Sequence, residues 1–114
     1  MIAVIFEVEP KDGERDAYLD MAAVMRAHVE KIDGFISVER FESLTQPGKL
    51  LSLSFWRDEA ALDEWRKLHA HRHAQTMGRT KMFSDYRLRV AAVIRDYGMT
   101  EREQAPKDSR ELHG

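Results

Sequence analysis

The order in which the apolar residues switch between a spacing of two and a helical spacing limits the fold of this chain more than any single motif does. From Met1 to Glu9 the period is two, with Ile2, Val4, Phe6 and Val8 on one face and Ala3, Ile5, Glu7 and Glu9 on the other. Both faces begin apolar, so this strand is expected to be covered on both sides. Pro10-Lys11-Asp12-Gly13 reads as a turn. Tyr18, Met21, Ala22, Met25, Val29 and Ile32 then recur at helical spacing until Asp33-Gly34, where glycine suits the residue just past a helix. The period returns to two, with Phe35, Ser37, Glu39 and Phe41 set against Ile36, Val38, Arg40 and Glu42. Gln46-Pro47-Gly48-Lys49 makes a turn into a second run, Leu50 to Trp56, which pairs with the first as a hairpin. Asp58 is a good N-cap and Glu59 puts negative charge in the first turn of a helix running towards Met77-Gly78. Asp85 to Tyr97 reads as the last strand.

Strand, helix, strand, strand, helix, strand is the split βαβ, ferredoxin-like plan: an α+β fold with a four-stranded antiparallel sheet and two helices on one face. The other face then lacks a cover. Apolar residues on both faces of the first and last strands predict a second copy there, giving a homodimer with sheets packed face to face. Residues 1–97 form this domain. Residues 98–114 are polar and charged, with Met99 and Leu112 almost alone as apolar residues, and are expected to form a flexible tail.

A chain of 114 residues, 43% hydrophobic and 33% charged, has room for one domain with a real core and not for two. Its net charge of −2 gives a polyanion nothing to bind, which argues against nucleic acid. Without cysteine there is no disulfide, thiolate nucleophile or zinc-thiolate site. The apolar run Ile2 to Val8 is too short for a membrane span and has no basic n-region before it, so the reading is cytoplasmic.

The segment Phe55 to Gln75 holds both tryptophans and three of the five histidines, and chemistry is expected there. Phe55-Trp56-Arg57-Asp58-Glu59-Ala60-Ala61, then Trp65-Arg66, His71-Arg72, Ala74-Gln75 and Gly78-Arg79, then Asp85-Tyr86-Arg87-Leu88-Arg89-Val90 resemble the antibiotic biosynthesis monooxygenase family of small dimeric α+β barrels. The resemblance implies a pocket between helices and sheet. In some members it implies an oxygenase that inserts O2-derived oxygen into polycyclic aromatic substrates without flavin, metal or haem. Other members degrade haem, using an asparagine on the first strand, a tryptophan on the second helix and a histidine ten residues later. The matching positions here are Glu7, Trp65 and Gln75, so two of that branch's three residues differ. His73 is no substitute, because a two-residue offset turns a helical side chain by about 200°.

Trp65 is read either as a pocket wall that stacks an aromatic substrate or as core on an amphipathic helix, and Trp56 as packing. Only His69 and His73 of the three histidines share a helix face, and no carboxylate within a turn completes a metal site, so none is expected. His71-Arg72 fits the family run, with His71 a candidate base and Arg72, His69 and His73 candidate substrate contacts; on an unbroken helix Arg72 and His69 lie near the face of Trp65 and His71 points well away, which a kink between Leu68 and His71 would change. Solvation is the plainer role for each histidine. Glu7 is the second candidate base: facing a pocket it would lose water and gain basicity, facing solvent it is an edge charge. Arg87, Arg89 and Arg95 share one strand face, where a guanidinium could stabilise an enolate or phenolate or simply pair with Glu7 or Glu39.

Residues and resemblance together read as a cofactor-independent monooxygenase oxidising a small electron-rich aromatic or quinol-type substrate with O2. The alternative is a non-catalytic dimeric module that binds a small ligand or haem, with haem degradation as an enzymatic variant.

Overall fold

A computed structural model describes the backbone of residues 1–76 and 82–113 and the side chains of 1–68 and 82–110. The elements are β1 (Ile2–Pro10), α1 (Arg15–Val29), β2 (Phe35–Glu42), β3 (Leu50–Trp56), α2 (Glu59–Thr76), β4 (Phe83–Ala92) and a short α3 (Lys107–His113). The sheet order is β2-β3-β1-β4 with every neighbour antiparallel, which is the ferredoxin-like arrangement.

Register sorts the strand residues between two faces. Val4 of β1 pairs with Ser54 and Val90, Phe6 with Ser52 and Leu88, and Val8 with Leu50 and Tyr86. Val38 and Arg40 of β2 stand opposite Ser54 and Ser52, so they share that face. The helices pack on it in two separate clusters. At one end Val4, Val29, Trp56, Ala61 and Leu62 are buried, with Ile2, Ile32, Phe35 and Trp65 against them. At the other, Val8, Tyr18, Leu50 and Phe83 are buried, with Phe6, Leu19, Met21 and Met82 against them. The helix α1 reaches both, because Tyr18, Ala22, Met25 and Val29 recur on one side of it. The opposite sheet face carries Ile5, Leu51, Leu53 and Phe55, all half-buried, with Phe41 43% exposed beside them. Solvent therefore reaches an apolar surface there.

The start of α2 is fixed by its cap and by a glycine. Asp58 Oδ1 accepts the Ala61 N–H at 2.9 Å, as its N-cap position predicts. Gly34 has φ +95°, its carbonyl accepts the Arg57 N–H at 2.7 Å, and a Cβ there would lie 2.7 Å from the Ala61 Cβ. Only glycine tolerates both the conformation and the approach.

The end of α1 and both ends of β4, which starts at Phe83 rather than Asp85, differ from the periodicity. Helix α1 ends at Val29, and Ile32 joins the core from a following turn closed by its N–H to the Val29 carbonyl at 3.1 Å. Strand β4 ends at Ala92, because its partner β1 begins at Ile2 and the last bond runs from Val93 N–H to the Met1 carbonyl. Arg95 thus lies beyond the strand. Within the polar tail Arg102 donates to Ser109 Oγ at 2.6 Å and lies over the Tyr97 ring, while Gln104 accepts the Asp96 N–H at 2.7 Å. None of the described helices is long and apolar enough to cross a membrane.

Candidate active site

Between the two core clusters the packing is interrupted, and a cavity of about 1130 Å³ occupies the gap. That is slightly above the roughly 300–1,000 Å³ range of small-molecule sites, as suits a cavity open on one side. Its floor is the helix-side face of the sheet: Arg40, Ser52 and Ser54 from the β2–β3 side, Val4 and Phe6 from β1, and Tyr86, Leu88 and Val90 from β4. Met21, Met25 and Tyr18 of α1 and Leu62 and Trp65 of α2 supply the walls. Tyr86, Leu88 and Val90 are about half exposed (54%, 48% and 48%), so the cavity opens along β4.

Aromatic rings shape both ends. Phe6, Phe83, Tyr18 and Tyr86 contact one another with centroids 5.5–6.2 Å apart at steep angles, a favourable arrangement for ring quadrupoles. At the other end Trp65 stacks on Trp56 at 6.3 Å and 26°. Trp56 is 1% exposed and gives its indole N–H to Ser54 Oγ at 3.0 Å, so it is packing, as its strand-end position predicts. Trp65 is half-buried, packs on that core cluster and lines the cavity, so it combines the two roles that the sequence set as alternatives.

Glu7 is on the opposite face of the sheet. Its Oε1 meets Lys49 Nζ at 3.1 Å and its Oε2 meets Arg89 Nη1 at 2.5 Å. The Arg89 hydrogen bond, then Lys49, holds its carboxyl below the usual carboxylate range. Both oxygens are engaged and neither reaches the cavity, which is not the setting of a base working near neutral pH. Arg87 shares that outer face by register. The ion pair with Glu7, the plainer of the roles read for these arginines, is the one Arg89 has. The side chains of His69, His71, Arg72, His73 and Gln75 lie outside the described residues, as do Gly78 and Arg79. Among the described residues no three His, Asp or Glu side chains converge as a metal site. Of the two positions of the haem-degrading set that are described, Trp65 lies at the cavity and Glu7 turns away from it, so the described residues give that cofactor no first-strand partner.

The cation in the cavity floor is Arg40, which the sequence reading left among the alternating residues of β2. Its half-buried side chain has an Nε with almost no solvent contact and no acceptor, and no described group pairs with it. A buried N–H without an acceptor costs roughly 1–3 kcal/mol. Arg102 also has an unpaired Nε, but its other nitrogens are bonded to Ser109 and the Gly98 carbonyl. The spacing of two puts Arg40 on one face with Val38, but its place opposite Ser52 is a relation between strands that appears only in the fold.

A family model described as antibiotic biosynthesis monooxygenase matches residues 1–77. A curated relative, a jasmonate monooxygenase from the fungus Pyricularia oryzae, is 48% identical over 93 residues, which is 82% of this chain and 43% of that protein. The chain therefore spans less than half the length of this relative. Among solved structures, Rv0793 from Mycobacterium tuberculosis superimposes with a TM-score of 0.72 at 24% identity, covering 85% of this chain and 98% of its own. SnoaB, a cofactor-independent oxygenase from Streptomyces nogalater, superimposes with a TM-score of 0.69 at 9% identity, covering 83% and 94%. At these identities the two structures share the fold.

Proposed function

The chain belongs to the antibiotic biosynthesis monooxygenase family, and from that premise we propose that it is a cofactor-independent monooxygenase that takes a small electron-rich aromatic or quinol-type substrate and O2. The observation that carries this reading is the cavity in the helix-side core, walled by Trp65, Met21, Met25 and Tyr18 over a largely apolar floor. Such walls hold a planar ring by stacking and exclude water from an anion formed on it.

The chemistry asked of the protein is modest. A base removes a proton from an activated methylene or phenol, the resulting anion passes electrons to O2, and a carbon-bound peroxide loses water. One methylene and one O2 become one carbonyl and one water, so no outside reductant is consumed. A cation at the cavity lowers the energy of the anion, and Arg40 is placed for this. Of the two base candidates Glu7 is outside the cavity, which leaves His71 of α2 in the role, with Arg72, His69 and His73 as proposed substrate contacts.

The same reading carries a homodimer. The apolar open face of Ile5, Leu51, Leu53, Phe55 and Phe41 supports a second copy packed there, leaving both cavities on the outside of the paired sheets.

The test is oxygen uptake by the purified, chelator-treated protein against anthrones, quinols and jasmonate. Uptake above the spontaneous rate is expected for at least one of them. His71→Ala should abolish the low-pH limb of the rate profile, while Glu7→Gln leaves it in place. Tight binding without uptake for the whole panel would replace this reading with that of a non-catalytic ligand-binding module.

A further inference from the structure

The cavity floor is not uniform. Across the sheet it runs from Arg40, Ser52 and Ser54 on the β2–β3 side to Phe6, Leu88 and Val90 on the β1–β4 side. Arg40 stands directly opposite Ser52, and Ser54 is the next residue of β3 on that face. The Ser54 oxygen already accepts the Trp56 indole N–H, which leaves its hydroxyl hydrogen free to donate. Among the described residues the remaining charged lining lies on α2: Asp63 pairs with Arg66 at 3.4 Å, and Glu59 and Lys67 add one charge of each sign. Arg40 is thus the cation set into the described floor, with its Nε shielded from water and no ion pair to it among the described residues.

We propose that the cavity takes an amphipathic organic carboxylate, its head on Arg40 with Ser52 and Ser54 and its apolar body over Phe6, Leu88 and Val90. The guanidinium is a planar fork that matches a carboxylate with two parallel bonds, and two hydroxyls beside it suit the remaining lone pairs. The Nε, already shielded from water and without an acceptor, loses little hydration when the anion arrives. The apolar strip continues to the open β4 side, so the head enters first and the body trails towards the mouth. This rests on the reading of the cavity as the substrate site, and it narrows the substrate to monoanions.

The test is calorimetric binding of 1-naphthaleneacetate and of its neutral isostere 1-naphthaleneacetamide, without turnover. The carboxylate should bind at least about tenfold more tightly than the amide, the scale of a charge-assisted hydrogen bond. Arg40→Gln should erase that preference by weakening the carboxylate far more than the amide, and Arg40→Lys, which keeps the charge and loses the fork, should retain part of it. Equal binding of the two probes to the native protein, equal weakening of both by Arg40→Gln, or binding of neither would overturn the proposal. Anion preference without any oxygen uptake keeps the carboxylate site and removes the oxygenase reading. Uptake with neutral quinols and no anion preference does the reverse.

Discussion

Replacing Gly34 by alanine tests whether the junction between α1, β2 and α2 is as tight as it looks. The new Cβ would lie 2.7 Å from the Ala61 Cβ and 3.2 Å from the Arg57 guanidinium carbon. Carbon atoms rest at about 3.5–4.0 Å, so α2 would have to lift by on the order of 1 Å at its first turn. Overpacking of this kind costs roughly 1–3 kcal/mol. The backbone at φ +95° adds roughly 1–2 kcal/mol, because an L side chain is strained there. The sum, about 2–5 kcal/mol, is a large share of a typical stability of roughly 5–15 kcal/mol. Urea unfolding of Gly34→Ala, Ala61→Gly and the double variant separates the two contributions. Ala61→Gly loses about 1 kcal/mol of helix propensity by itself. In the double variant the clash is gone and the backbone strain stays, so the pair should be better than additive by roughly 1–3 kcal/mol. Strict additivity, or a single-variant loss below about 0.5 kcal/mol, would refute the close approach. Because α2 carries Leu62 and Trp65 into the cavity wall, Gly34→Ala should also weaken any cavity ligand.

Trp65→Phe should lower the melting temperature and weaken an aromatic ligand together, by about 1 kcal/mol in each assay, since the indole serves core and cavity at once; a change in one assay alone would assign it a single role. The Asp58 carboxyl is held below its usual range, by the Ala61 N–H first and Arg57 second. Its depressed folded value means that the stability it contributes is complete above the unfolded value near 3.9 and is lost as pH falls through the folded one. Urea titrations at acid and neutral pH should therefore show a shallower acid loss in Asp58→Asn than in the native protein, and equal slopes would contradict the cap assignment. Sedimentation at micromolar concentration should give twice the 13.3 kDa chain mass, and a monomer would leave the open sheet face without a partner.

The element order, the hairpin, the Asp58 cap and the glycine after α1 were legible because each is a local signal: a spacing, a capping side chain, a turn residue. The face of each strand residue was not. A period of two separates Glu7 from Val8 but does not say which set the helices cover, and β1 begins apolar on both. The fully apolar set of Ile2, Val4, Phe6 and Val8 marked the helix side, and Glu7 belonged to the other. Arg40 was hidden for the same reason, since its importance lies in Ser52 opposite it, a relation between two strands. The end of β4 was set by the length of β1, which no periodicity within residues 85–97 reports.

The division of the core into two clusters has a thermodynamic consequence. A ligand in the cavity would touch Leu62 and Trp65 at one end and Phe6, Tyr18 and Met21 at the other, becoming the middle of the hydrophobic interior. Folding and occupancy are then linked by mass action, with a gain of about 2.7 kcal/mol when the free ligand is at a hundred times its dissociation constant. The melting curve of this domain would thus report what fills it, whether or not that molecule is ever oxidised. Cellular lifetime would follow the same relation, so a chain that meets its ligand soon after synthesis would outlast one that does not.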